Sequence, residues 1–246
     1  MARNEAYQEA ERRIEAARQE GATELDLSHL ELTELPEAIA SLTQLQSLNL
    51  HNNQLTALPE AIAALAQLQS LNLSENKLTE LSEAIAALTQ LENLKISYNK
   101  LTSLPDAITT LDQLKVIDLV NNQLSKLPDG IASLACLEGL FLGWNLFDEI
   151  PESIRQLKQL KRFFIQNNCL GEIPEWIGEL RSLRGLGVDG NNLTSLPLSM
   201  KDLIDLGDLR LGAFGSGNPL SQLPMQLRQL RGCLKSRSVG KKAHSV

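Results

Sequence analysis

The sequence predicts an α/β solenoid: an arc, or horseshoe, of about nine stacked coils. Each coil gives one short strand to a parallel concave sheet, and an N-terminal helix caps the first coil. Three observations carry this expectation. Leucine accounts for 50 of the 246 residues, against nine aromatics. A 23-residue period runs through most of the chain. Ahead of it, residues 3–20 carry an apolar stripe at helical spacing.

The period comes first, because internal self-similarity decides the architecture before any single segment can. The stretch from Leu45 to Leu65, LQSLNLHNNQLTALPEAIAAL, recurs at shifts of 23 residues. An asparagine column reads Asn53, Asn76, Asn99, Asn122, Asn145, Asn168 and Asn191. A proline column runs from Pro36 to Pro197, with Ser82 as its exception, and an isoleucine column from Ile39 to Ile177 ends in Met200.

Each column has a physical reason. Alternate residues of a strand point to opposite faces, so Leu48 and Leu50 face the core while Ser47, Asn49 and His51 face out. The asparagine stands where the chain leaves the strand, and its amide can satisfy backbone groups that the turn leaves unpaired. The Leu-Pro step blocks a regular helix and suits a return of extended and short helical turns. One coil cannot bury its own leucines, so stability must come from stacking on its neighbours.

From about Ala22 to Leu230 these columns follow LxxLxLxxNxLxxLPxxIxxL, and the chain resembles the leucine-rich repeat proteins. The 23-residue LPxxIxxL form is similar to intracellular Ras-group repeats and to bacterial repeat proteins. The lead-in RIEAARQEGATELDLS (residues 13–28) looks like the start of the repeat domain in bacterial Roco proteins. In those, a GTPase and a dimerisation module follow the repeats. This sequence stops before either, so the resemblance implies a stand-alone relative, a truncated gene product or an excised domain, and no GTPase activity carries over.

The ends read differently. Tyr7, Ala10, Ile14 and Ala17 recur at 3, 4, 3 spacing and Gly21 is a natural stop, so residues 1–21 form the expected cap. The repeat domain is expected over 22–230, with its last repeat displaced by the insertion Gly212-Ala-Phe-Gly-Ser-Gly, which moves the asparagine to Asn218. Residues 231–246 make a basic tail with little to bury, expected to be disordered.

Composition bounds the partners. The net charge is −7, but six of the 23 basic residues and no acid lie in 228–246. Residues 1–227 therefore carry 17 basic against 30 acidic groups, a net −13. Such a body repels nucleic acid and anionic membrane. No apolar stretch is long enough to span a bilayer, and the charged N-terminus lacks a signal-peptide core. Three scattered cysteines, with Cys136 and Cys169 read as packing residues, favour a reducing, cytoplasmic setting.

Chemistry is thinly represented. There is no GxxxxGK[ST] phosphate loop and no GxSxG elbow, so an enzyme is the remote reading and no cofactor is expected. His29 and His51 fall on adjacent strands near Asp26 and Glu75, yet in no known metal-ligand spacing.

The outward strand positions are where function can be sought, since the packing pattern leaves them free. The column between the inward leucines reads Asp26, Asn49, Asn72, Lys95, Asp118, Phe141, Phe164, Gly187 and Arg210. Two phenylalanines on neighbouring strands stand out. Val116 and Val120 flank them, and Tyr98 and Trp144 lie just ahead of their asparagines. Exposed apolar clusters mark interaction surfaces; mutual packing of Phe141 and Phe164 is the other reading. Arg162, Lys161 and Arg184 on one side and Asp118, Lys95 and Glu75 on the other form a mixed rim. Glycines at 139, 143, 185, 187 and 190 flatten the surface, which either lets a partner backbone approach closely or reflects drift of the repeat. The sequence thus predicts a non-catalytic scaffold binding a protein or peptide on its concave face, with a regulatory module of a Roco-type or Ras-like GTPase as the alternative.

Overall fold

A computed structural model describes residues 5–213 and 216–220, with Met225 and Leu227; the expected tail, Cys233 included, lies outside the described residues. Helix α1 (Glu5–Glu20) is followed by β1 (Glu24–Asp26), β2 (Ser47–Asn49), β3 (Ser70–Asn72), β4 (Asn93–Lys95) and β5 (Val116–Asp118). Then come β6 (Gly139–Phe141), β7 (Arg162–Phe164), β8 (Gly185–Gly187) and β9 (Asp208–Arg210). These nine strands form one open parallel sheet in sequence order. Register advances by 23 residues per strand, so Leu48 stands opposite Leu71 and Phe141 opposite Phe164.

Eight short 3-10 turns, the first at Glu37–Ser41 and the last at Leu198–Asp202, form the opposite side of the described solenoid. Seven follow a proline held near extended geometry, as with Pro59 at φ −70°, which cannot itself continue a helix. The exception again is Ser82, whose hydroxyl accepts the Ala84 N–H and so replaces a rigid ring by a capping bond. Between the two layers lies one continuous core of leucine and isoleucine, in which Phe147 and Phe163 take leucine positions without exposure. At about 1.5–3 kcal/mol per buried aliphatic side chain, this stacking dominates the favourable side of folding.

The asparagine column forms the ladder its spacing implies. Asn122 accepts the Leu101 N–H at 3.0 Å and donates to the carbonyls of Ile96 (2.9 Å) and Leu119 (3.1 Å). Each amide thus ties its own turn to the coil before it. The first coil has Leu30 in that position, and Asn53 of the next coil accepts both the Leu30 and Leu32 amides. At the far end the insertion folds as a small antiparallel ribbon, β10 (Gly212–Ala213) with β11 (Ser216–Gly217). It delivers Asn218 into the ladder, where it accepts the Leu193 N–H and donates to Val188 and Leu211.

Helix α1 buries Tyr7, Ala10, Ile14 and Ala17, and the last three join the core beside Leu25 and Leu27. Arg13 reaches the Asp26 carbonyl at 3.1 Å, pinning the helix to the end of β1. Gly21 closes the helix at φ 62°, with the Ala22 N–H returning to Ala17.

Two sequence expectations are corrected. Cys136 and Cys169 are exposed thiols and not packing residues. The period accounts for this: Cys136 occupies the column of Gln67, Gln90 and Gln113, and Cys169 that of Lys77, Lys100 and Gln123, both of which face solvent.

Candidate functional site

The concave sheet presents three outward residues per coil, and over the first four strands they are small or polar. From β5 onward the surface changes. Val120, Phe141, Trp144, Arg162 and Phe164, all singled out by the sequence, line one cavity of about 450 Å³, completed by Gln166, Asp208 and Arg210. Tyr98, Val116 and Asp118 lie outside its lining.

The two phenylalanines stack with ring centroids 5.6 Å apart and planes 2° from parallel. Phe164 is more deeply placed than its column suggests, at 7% exposure. It turns toward β8, where side chains are missing: a Cβ at Gly187 would stand 2.5 Å from its Cδ1, and one at Gly185 3.2 Å from its Cζ. On the far side the Arg210 guanidinium covers the ring at 4.7 Å, held in turn by Asp208 at 2.8 Å. The sequence reading that these glycines admit a partner backbone is therefore corrected, since the Phe164 ring already occupies their space. Phe141 remains half-buried and Trp144 is 41% exposed.

A backbone feature singles out the aromatics on the edge. The residue before each ladder asparagine from Asn53 to Asn191 has positive φ, from Asn52 at 52° through Asn121 at 56° to Gly190 at 69°. Asparagine and glycine tolerate that conformation; bulky side chains rarely do. Yet Tyr98 (φ 55°) and Trp144 (φ 54°) occupy it, as Glu75 (φ 56°) does, and all three are exposed. Leu146, two residues on, is 55% exposed in a column that elsewhere holds Gln54, Lys77, Lys100, Gln123, Cys169 and Asn192. The apolar surface thus continues from the cavity over Trp144 onto the turn edge.

The charges expected around the aromatics divide into used and unused. Lys161 pairs with Glu138 at 2.6 Å, and Arg210 with Asp208. Arg162 and Arg184 are exposed. Asp118 is half-buried and accepts the Val120 N–H; burial pushes its carboxyl above the ordinary value, with Lys95 opposing. At the other end of the sheet the His29 and His51 rings meet edge to face at 5.2 Å, and His29 Nδ1 lies 2.7 Å from Asn52 Nδ2. Among the described residues there is no cluster of three or more metal-ligating side chains. Nor is any described helix long and apolar enough to cross a membrane.

Reasoning from sequence missed Gln166 and Asp208, and it saw Arg210 only as a column member. The stacking signal was present, since Phe164, Gly187 and Arg210 fall in one column. What the column does not show is which way a ring turns along the sheet.

An array of coils tied by asparagines and lined by strands defines a repeat scaffold, and the comparisons agree. The family described as "Leucine-rich repeat region" matches residues 61–162 and 106–211, and that described as "Leucine rich repeat" matches residues 20–78. The chain belongs to the leucine-rich repeat family. Among solved structures it is similar to a leucine-rich repeat protein of Leptospira interrogans, at 34% identity and TM-score 0.71, over 89% of this chain and 62% of that one. An internalin of Listeria monocytogenes shares the fold, at 22% identity and TM-score 0.76, over 87% of this chain and 60% of that one. The ectodomain of the membrane receptor kinase GASSHO1/SCHENGEN3 of Arabidopsis thaliana, solved in complex with CASPARIAN STRIP INTEGRITY FACTOR 2, is 34% identical at TM-score 0.69. That match covers 80% of this chain and 24% of the ectodomain. The chain therefore spans less than two thirds of each of these structures. A search of curated proteins finds no match. Leucine-rich repeat proteins are typically non-enzymatic scaffolds that commonly mediate protein–protein interaction.

Proposed function

We propose that the chain is a non-catalytic scaffold that holds a protein or peptide partner on its concave sheet, over the cavity between β5 and β9. The observation that carries this reading is the apolar wall of Val120, Phe141 and Trp144 beside charged Arg162, at positions the repeat pattern leaves free. Trp and Arg are enriched among the residues that dominate interface energetics, and their pockets favour central placement. Trp144 is moreover kept in a backbone conformation that asparagine would adopt more easily. We place the protein in the cytoplasm; exposed free thiols at Cys136 and Cys169 suit a reducing compartment.

The test is a pull-down with wild type and Trp144→Ala, followed by affinity measurement on each purified partner. Loss of about 2 kcal/mol or more in Trp144→Ala supports the site. Undiminished binding to Trp144→Ala and Phe141→Ala alike would sink it. A GTPase partner rests only on the lead-in at residues 13–28, and the same captured set reads that alternative.

A further inference from the structure

Charge is unevenly placed around the cross-section of the solenoid. An acidic residue opens each 3-10 turn from Glu37 to Glu175, on the side away from the sheet. A buried leucine layer, about 10 Å of packing, separates those carboxylates from the concave surface. Physiological salt screens charges over roughly 8 Å, so a ligand in the cavity meets mainly the local charges.

Among the described residues, those local charges leave two arginines outside any ion pair, although Arg162 acts at longer range on Glu138, and Asp189 on Arg210. In the column just before the strands, Glu92 pairs with Lys115 at 2.7 Å and Glu138 with Lys161 at 2.6 Å. The next member, Arg184, has no ion-pair partner among the described residues, and neither has Arg162 on the adjoining strand. Gly185, which follows Arg184, stands directly opposite Arg162, so Arg184 begins just outside the cavity lining, next to the strand end that carries Arg162. Asp208, the acid in the cavity lining, is already committed to Arg210.

A buried amide adds a second, independent sign of a ligand. Gln166 lines the cavity at 6% exposure, and its Oε1 is buried without a hydrogen-bond partner. Buried polar atoms are nearly always paired in folded proteins. The Gln166 amide packs over Gly143, and in the same column one coil on Asp189 Oδ1 is likewise buried and unpaired, so this stretch of the wall holds two acceptors that backbone N–H groups of an extended peptide can fill.

We propose that the cavity receives an extended acidic peptide segment: a large apolar side chain enters beside Val120, Phe141 and Trp144, a neighbouring Asp or Glu carboxylate meets Arg162 and Arg184, and the peptide backbone pairs with Gln166. This rests on the concave-face reading and adds the chemistry of the occupant.

The test pans a phage-displayed random dodecapeptide library on the full chain. Affinities of selected peptides are then measured by fluorescence anisotropy on wild type, on Arg162→Glu/Arg184→Glu, on Phe141→Ala and on Trp144→Ala. Selected sequences are expected to place Asp or Glu next to an aromatic residue or leucine. Charge reversal is expected to weaken them about tenfold or more and to favour versions in which lysine replaces the acid. In wild type itself, affinity is expected to fall as salt rises, a readout that needs no variant to fold. No selected peptides, no acidic enrichment, or affinity indifferent to both salt and charge reversal overturns the proposal. If the aromatic variants abolish binding while charge reversal does not, the concave-face reading stands and the acidic occupant falls. If charge reversal weakens binding while both aromatic variants bind like wild type, the concave-face reading falls, and this proposal with it.

Discussion

Gly187 lies beneath the ring of Phe164, so close that a Cβ there would stand 2.5 Å from Phe164 Cδ1. The absence of one side chain on β8 lets a phenylalanine on β7 lean over that strand, stacked on Phe141 of β6 and covered by Arg210 of β9. Gly187→Ala is therefore expected to lift the ring, separate it from Arg210 and destabilise the fold by about 1–3 kcal/mol. Denaturant unfolding measures the loss. A variant as stable as wild type would show that the stack contributes nothing to the fold.

Trp144 offers the opposite trade. Its φ of 54° suits glycine, so Trp144→Gly is expected to stabilise the chain by about 1 kcal/mol. On the proposed function the same change weakens partner binding. Stability and affinity moving in opposite directions, read by melting and anisotropy, would mark a residue kept for binding at the expense of the fold. A fall in both would mark Trp144 as structural.

The ladder makes a mid-array prediction. Asn122→Ala removes an acceptor for Leu101 and donors for Ile96 and Leu119, leaving buried backbone groups unpaired. The expected loss is about 1–3 kcal/mol, seen as a lower denaturant midpoint. Unchanged unfolding would remove the ladder as a source of stability.

Asp118 gives a pH signature. Burial raises its carboxyl, so in the folded state it binds a proton more tightly than in the unfolded chain. The ionised form therefore weakens the fold at neutral pH, and that penalty vanishes as pH falls through the raised folded pKa. Asp118→Asn keeps an oxygen for the Val120 amide and is expected to raise Tm at pH 7. The gain should disappear in acid, below the ordinary carboxylate pKa of about 3.9. A gain independent of pH would rule out charge burial as its cause.

Helix α1 should prove inseparable from the first coil. Without residues 1–20, the neighbours of Ala10, Ile14 and Ala17, notably Leu25 and Leu27, lose their cover. Light scattering is expected to show aggregation of that truncation. A monodisperse truncation of wild-type stability would refute the capping role.

Much of this molecule was legible in the sequence because its stability is a nearest-neighbour sum. The column leucines, asparagines and prolines do the same task in coil after coil, with Leu30 and Ser82 as exceptions, so a 23-residue period by itself determined the strands, the turns, the ladder and the core. It also located the stretch of the sheet where the outward residues turn apolar, since Phe141, Phe164 and Trp144 depart from their columns. The tertiary structure alone decided which of them are accessible. Phe164 is buried because Gly187, one coil away, leaves room and Arg210, two coils away, closes over it. Trp144 stays exposed on the turn edge, and Gln166 is left with an unpaired oxygen. Those outcomes depend on side-chain size and direction across the sheet, a lateral relation between coils that no pattern within one repeat encodes.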